Sequence, residues 1–205
     1  MIKLILVRHG VTEWNKSLRY QGHSDIPLSE IGRGQAKALS ERLAKAKIDA
    51  FYASDLSRAK ETAEIIASPH HEEVKLMSQY RETKFGEWEG LTYNEIIEKF
   101  PREMADWRVN PTVTRIPGGE TLNEVAQRCM SGINEIKAEH EQQTVLLVAH
   151  GGIIRIIISS LIGINLNEYW KIQQDNTALN IIEIHDDKSI LCLLNDTNHL
   201  NIKSL

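Results

Sequence analysis

Residues 4–15 read LILVRHGVTEWN, an apolar run that ends in Arg8-His9-Gly10. The apolar run predicts a buried strand over residues 2–7, and the glycine allows a tight turn directly after it. An arginine and a histidine therefore stand at the carboxyl end of a strand, which is where ligands bind in open α/β sheets. A tripeptide of this kind also occurs by chance, so it is weak evidence when taken alone.

A second predicted strand ends in the same way. Residues 144–149 form another apolar run, and His150-Gly151-Gly152 follows it. A helix that begins there would present free N–H groups to an anion. Because chance matches at the two places are independent, two strand-end histidines favour a functional site.

The remaining strands and one long irregular segment complete the predicted fold. Residues 49–53 are a weaker strand candidate, and residues 178–185 and 189–194 are typical of a terminal hairpin. Residues 81–120 contain three prolines and a Gly-Gly pair, which predict an excursion off the sheet that covers the active site. Strands that alternate with helices predict a three-layer α/β/α sandwich with a mostly parallel central sheet.

The helices are predicted from periodicity and capping residues. Residues 30–46 form a helical segment with Ser29 as its N-cap. Thr92 and Thr121 each open a capping box. The apolar positions of the first helix are Ile31, Leu39, Leu43 and Ala46, and the helix after Thr121 is amphipathic, with one stripe formed by Leu122, Val125, Cys129, Ile133 and Ile136.

Composition limits the class of protein. The 205 residues suffice for one domain, predicted over residues 1–205, and the formal net charge of -4 argues against non-specific binding to nucleic acid or to an acidic membrane. Cys129 and Cys192 lie far apart without a nearby partner, which favours neither a disulfide framework nor a zinc site. The apolar runs are too short for a signal peptide or a membrane span, so a cytoplasmic location is expected.

Further residues could join the two histidines in phosphate chemistry. Arg58 is predicted in the first turn of the helix after residues 49–53, near the sheet edge that carries His9, and an arginine can hold two phosphoryl oxygens. The alkoxide that leaves a phosphomonoester needs a proton, which a carboxylic acid can supply. Glu82 is the candidate, but Glu87 and Glu89 are close by, and the residues alone leave the choice open.

Together these segments resemble the histidine phosphatase superfamily, which is also called phosphoglycerate mutase-like. The resemblance extends over almost the whole chain. The matching segments are LVRHGVTEWN at 6–15, YQGHSDIPLSEIGRGQA at 20–36, SDLSRAKETA at 54–63, RETKFGEWEG at 81–90, PGGET at 117–121 and VAHGG at 148–152.

The resemblance implies a role for each site residue. His9 would be the nucleophile that becomes phosphohistidine, and Glu82 would be the proton donor. The expected phosphate- and substrate-binding residues are Arg8, Asn15, Gln21, Gly22, Arg58 and His150. With the two arginines and a protonated His150 neutralising the phosphate, neither a metal ion nor a cofactor is expected.

Three functions fit these residues: a phosphatase, a phosphoglycerate mutase and a non-catalytic phosphate-binding module. A binding module has no use for a nucleophile with a proton donor, and FGEWEG at 85–90 followed by a short excursion resembles the phosphatase branch. The phosphatase is therefore preferred, with a small-molecule phosphate ester as its partner.

Finer predictions concern the substrate and the assembly. Residues 174–180 and 194–200 resemble those of α-ribazole phosphatases in cobalamin biosynthesis, which makes α-ribazole phosphate a candidate substrate. Trp107, Arg108 and His23 are candidates to line the pocket. A homodimer formed through a sheet edge is left open.

Overall fold

The computed structural model describes residues 1–200, and these contain a six-stranded, mostly parallel sheet. The strands lie in the order β3-β2-β4-β1-β5-β6; β1 to β4 run parallel, β5 is antiparallel to β1, and β6 is antiparallel to β5. Their bounds are β1 Ile2–Arg8, β2 Ala50–Ala53, β3 Val74–Leu76, β4 Thr144–Ala149, β5 Leu179–Ile184 and β6 Ser189–Asp196.

Helices connect the strands and cover both faces of the sheet. The α-helices are α1 Glu13–Lys16, α2 Glu30–Leu43, α3 Ser57–Ala67, α4 Tyr93–Lys99, α5 Pro101–Val109, α6 Leu122–Glu139 and α7 Gly151–Ile162. Short 3-10 helices lie at Ser68–His70, Ser78–Tyr80, Gly86–Trp88, Leu166–Lys171 and Asn198–Leu200.

Two apolar clusters lie on opposite faces of the sheet, because alternate side chains of each strand point to opposite sides. Leu4 and Leu6 of β1 pack in the cluster that contains α6 and α7. Ile5 and Val7 pack in the cluster that contains α2 and α3. The predicted three-layer α/β/α sandwich is confirmed.

The predicted strands are confirmed with small differences in their bounds. β2 begins at Ala50 rather than at residue 49, and the terminal hairpin is β5 with β6. The sequence analysis missed β3, a strand of three residues in which one side chain is half-buried and two are exposed. So short and exposed a segment has too little alternation to be recognised.

The predicted helix starts are confirmed as well. The Ser29 hydroxyl accepts a hydrogen bond from Gly32, and Thr92 and Thr121 form capping boxes. The buried stripe of α6 lies where it was expected. Of the apolar positions of this segment, Ile31 is 57% exposed on the first turn of α2, and the helix ends at Leu43 rather than at residue 46.

Two features bear on other sequence expectations. Cys129 is buried and Cys192 exposed, and both are free thiols. Within residues 1–200, no helix is both long and apolar enough to cross a bilayer.

Candidate active site

The two strand-end histidines meet because β1 and β4 are neighbouring parallel strands. Arg8 is in register with Ala149, and the backbone N–H of His9 donates to the Ala149 carbonyl at 3.0 Å. The His9 and His150 rings consequently lie edge to face, with centroids 5.2 Å apart.

The His9 ring is buried and held in one orientation. Its Nδ1 lies 2.7 Å from the Gly10 carbonyl oxygen, and because a carbonyl can only accept, the proton belongs on Nδ1. Nε2 is then the nitrogen with a free lone pair. Burial, followed by the charges of Arg58 and Arg8, holds the pKa of His9 well below its usual value, so the ring is neutral.

Gly10 makes this orientation possible by letting the backbone approach the first turn of α2. A Cβ atom at this position would lie 2.5 Å from the carbonyl oxygen of Gly32. Any residue larger than glycine at this position would therefore shift the Gly10 backbone, and with it the Gly10 carbonyl that accepts from His9.

Arg58, which is buried, and Arg8, which is half-buried, flank the histidines. Arg58 donates from Nη1 to the Ser24 carbonyl at 2.9 Å and from Nη2 to the Gly22 carbonyl at 2.8 Å, whereas Arg8 donates from Nη1 to the Gln174 carbonyl at 2.7 Å. Burial lowers the pKa of each arginine to about 10. Neither Nε atom finds a partner among the described residues, so the site holds positive charge and unused donors.

His150 differs from the expectation in its charge. It is the N-cap residue of α7, its Nε2 lies 2.9 Å from the Ser54 hydroxyl, and it is fully buried. Burial, reinforced by Arg58 and His9, holds the pKa of His150 well below its usual value. A cationic His150 therefore requires an anion in the site to stabilise the added proton.

Glu82, Glu87 and Glu89 differ in their surroundings. Glu82 lines the cavity, and its carboxylate accepts from the backbone N–H groups of Gly152 at 3.2 Å and Thr83 at 2.9 Å. Glu89 instead accepts from the backbone of residues 23, 24 and 85, and Glu87 is exposed. Of these three acids, only Glu82 lines the cavity.

The other predicted contacts lie around the same cavity. The amide oxygen of Asn15 accepts from the Thr12 N–H at 3.1 Å, and that of Gln21 accepts from the Thr12 hydroxyl at 2.9 Å. Both side chains line the cavity, with their oxygens turned to Thr12. Gly22 does not line the cavity, but its carbonyl accepts a hydrogen bond from Arg58.

The cavity has a volume of about 330 Å³, and its outer part contains residues that the sequence analysis missed. Arg155 of α7 donates from Nε to the Ile172 carbonyl at 2.7 Å, and its guanidinium lies 4.8 Å from the centre of the Trp170 ring. Its position one helical turn after Gly151 was the available signal. The aromatic residues of the rim are Tyr20, Phe85, Tyr169 and Trp170. His23, Trp107 and Arg108 do not line this cavity.

Two groups outside the cavity hold its walls in place. Arg128 of α6 donates to the carbonyls of Gln79, Arg81 and Glu82 at 2.6 to 3.0 Å, and so fixes the backbone that carries the acid. Asn176 donates to the His9 carbonyl at 2.9 Å and to the Asn15 amide oxygen at 3.3 Å. Among residues 1–200 there is no group of three or more His, Cys, Asp or Glu residues arranged to hold a metal ion.

Comparison with known proteins shows the family of the chain. The sequence profile of the histidine phosphatase superfamily (branch 1) matches residues 4–197. Phosphoserine phosphatase 1 of Hydrogenobacter thermophilus is 36% identical over 200 residues, which cover 98% of this chain and 95% of that protein. The metal-independent phosphoserine phosphatase of Arabidopsis thaliana is 34% identical over 209 aligned positions, covering 97% and 83% of the two chains.

A solved structure that is named for a different substrate is also similar. The crystal structure of the α-ribazole phosphatase from Shigella flexneri superimposes with a TM-score of 0.87 at 28% identity. The match covers 95% of this chain and 96% of that one.

Proposed function

The chain belongs to the histidine phosphatase superfamily (branch 1), and on that premise we propose that it hydrolyses a small phosphomonoester through a phosphohistidine on His9. That the protein is a metal-independent phosphatase follows from its relatives. The observation that carries the proposed mechanism is the Nδ1–H of His9 held by the Gly10 carbonyl, which leaves Nε2 free to attack.

In the first step, Nε2 of His9 forms a bond to phosphorus while the ester P–O bond breaks. The leaving oxygen takes a proton from the carboxyl group of Glu82 and departs as the alcohol. Arg8 and Arg58 hold the phosphoryl oxygens, with Asn15 and Gln21 beside them. The N–H groups at the start of α7 add positive potential at the same place.

In the second step, the Glu82 carboxylate takes a proton from water, and the water oxygen attacks phosphorus. The P–N bond to His9 breaks and inorganic phosphate forms, so Glu82 regains the proton that it gave. Phosphoryl transfer depends mainly on positioning and on electrostatic stabilisation of the oxygens, which a fixed cationic cavity supplies. The imidazole of His150 joins the cations by taking up a proton when the dianion binds.

Two candidate substrates are supported, one by the curated relatives and one by the resemblance of residues 174–180 and 194–200 to α-ribazole phosphatases. Phosphoserine is the candidate that the two phosphoserine phosphatases support, and α-ribazole phosphate, from cobalamin biosynthesis, is supported by residues 174–180 and by the similar Shigella structure. A steady-state screen over phosphate esters that includes both compounds and the monophosphoglycerates distinguishes them. A homodimer and a cytoplasmic location stay predictions.

The decisive experiment is to trap the intermediate on His9. Mixed briefly with a radiolabelled ester and quenched in base, the wild-type protein is expected to carry an acid-labile phosphate. His9→Ala is expected to carry none and to lose at least about a thousand-fold in kcat. The half-buried His185, which lies outside the cavity, gives His185→Ala as the matched control. A full hydrolytic rate in His9→Ala, or activity that a chelator abolishes and a divalent cation restores, would contradict the mechanism.

A further inference from the structure

A second cavity of about 400 Å³ adjoins the active cavity. We call it the side pocket. Its lining residues are Tyr20, Tyr93, Met104, Trp107, Arg108 and Trp170. Tyr20 and Trp170 also line the active cavity, so the two spaces share a wall.

The walls of the side pocket are mostly aromatic and partly open to solvent. Trp107 is 2% exposed and packs edge to face against Trp170, with ring centres 5.9 Å apart. Trp170 and Tyr93 are 47% and 38% exposed. Aromatic faces left open beside a reaction site are suited to pack against a flat ring of a ligand.

The side pocket also contains a positioned cation. Arg108 donates from Nη1 to the Tyr93 hydroxyl at 3.0 Å, which holds the guanidinium at the pocket. A guanidinium stacks on aromatic faces and donates in its own plane, so it suits a ring that carries an acceptor atom. The indole N–H of Trp107 has no partner among residues 1–200.

We propose that the side pocket binds the leaving-group half of the substrate, and that this half carries a flat aromatic ring. The proposal rests on the proposed function, since the phosphate must occupy the active cavity beside His9. The ester then passes between Tyr20 and Trp170, and its ring packs between the aromatic walls. Helices α4 and α5 supply Tyr93, Met104, Trp107 and Arg108, so these two helices select the alcohol half of the ester. Bond breaking stays at His9, which follows the carboxyl end of β1.

The test compares two esters with equally reactive leaving groups, ethyl phosphate and naphthylethyl phosphate. The variants are Tyr93→Ala and Arg108→Met, which change the side pocket but not the active cavity. Ile97→Ala is the matched control, because Ile97 is on the same helix as Tyr93, is 40% exposed and lines neither cavity.

We expect the wild-type protein to prefer the ring-bearing ester by about tenfold or more in kcat/KM, the value of one good aromatic contact. Each side-pocket variant should lose most of that preference and keep its rate on ethyl phosphate within about twofold. Ile97→Ala should behave as wild type. Equal kcat/KM for the two esters, or equal losses on both in the variants, would overturn the proposal and leave the phosphatase mechanism intact.

A binding measurement tests the side pocket independently of catalysis. Calorimetric titration of His9→Ala with both esters should show tighter binding of naphthylethyl phosphate, again by about tenfold, with the difference lost on adding Tyr93→Ala. This result would support the side pocket even if neither ester were hydrolysed. Equal affinities would overturn it.

Discussion

At the residue scale, the proposed mechanism requires His9 to be neutral before it attacks and positively charged afterwards. Burial beside Arg8 and Arg58 lowers its pKa and keeps the free ring neutral. Once phosphorylated on Nε2, the ring keeps its Nδ1 proton, and the Gly10 carbonyl at 2.7 Å is placed to stabilise that charge. The same two arginines then offset the charge of the attached phosphoryl group.

The role proposed for Glu82 gives a prediction at this scale. In single-turnover release of the alcohol, Glu82→Gln should slow ethyl phosphate by about a hundred-fold or more, because the alkoxide needs a proton to leave. Release of nitrophenolate from p-nitrophenyl phosphate should be affected much less, since that leaving group departs without one. The exposed Glu87 provides Glu87→Gln as the control. Equal slowing on both esters would show that Glu82 does not protonate the leaving group.

At the element scale, capping residues serve both stability and the site. The capping boxes of α1 and α6 are built alike, with Thr12 accepting from the Asn15 N–H and Thr121 accepting from the Glu124 N–H. Only the cap of α1 adjoins the cavity, because the Thr12 hydroxyl also donates to the amide oxygen of Gln21.

The two caps therefore give different predictions for the same substitution. Thr121→Ala should lower the free energy of unfolding by about 1 kcal/mol and leave kcat/KM unchanged. Thr12→Ala should cost a similar stability and also raise KM, since it frees Asn15 and Gln21. Urea unfolding measures the stability effect and steady-state kinetics the effect on KM, with Thr121→Ala as the control for loss of a cap alone. An unchanged KM in Thr12→Ala would contradict a binding role for this pair.

The difference between expectation and structure is also clearest among the elements. Apolar runs and capping residues predicted β1, β4, the terminal hairpin and the start of α6, because burial and hydrogen bonding within a segment leave a local pattern. β3 and the exposure of Ile31 were not predictable in this way. An edge strand and one helix face are decided by what packs against them, which no local pattern records.

At the scale of the whole molecule, folding brings Arg8, Arg58 and the buried histidines His9 and His150 together around one space. The buried histidines make the free energy of unfolding depend on pH. The folded-state pKa values of His9 and His150 lie well below the usual value of 6.5, so below that pH the unfolded chain binds protons that the folded protein does not. Stability is therefore lost as the pH falls.

The expected loss is about 1.4 kcal/mol per pH unit for each histidine below about pH 6.5. Urea unfolding at about pH 7.5 and about pH 5.5 should show a smaller loss in the double variant His9→Asn/His150→Asn than in the wild type. The exposed His71 supplies His71→Asn as the control. Added inorganic phosphate should reduce the wild-type loss, because the anion stabilises protonated His150. Equal losses in wild type and double variant would contradict the assignment.

The sequence by itself determined the sandwich, the two strand-end histidines and, through its motifs, the family. These features are local, because a strand, the turn after it and the residues in that turn are continuous in the chain. Only the tertiary structure showed that Glu82 lines the cavity while Glu87 and Glu89 do not, lowered the pKa of His150 and placed Arg155 at the cavity. It also showed that Trp107 and Arg108, which were candidates to line the active cavity, line the side pocket instead. Each of these depends on distances and burial among segments far apart in sequence, and those arise only when the sheet and its helices pack together.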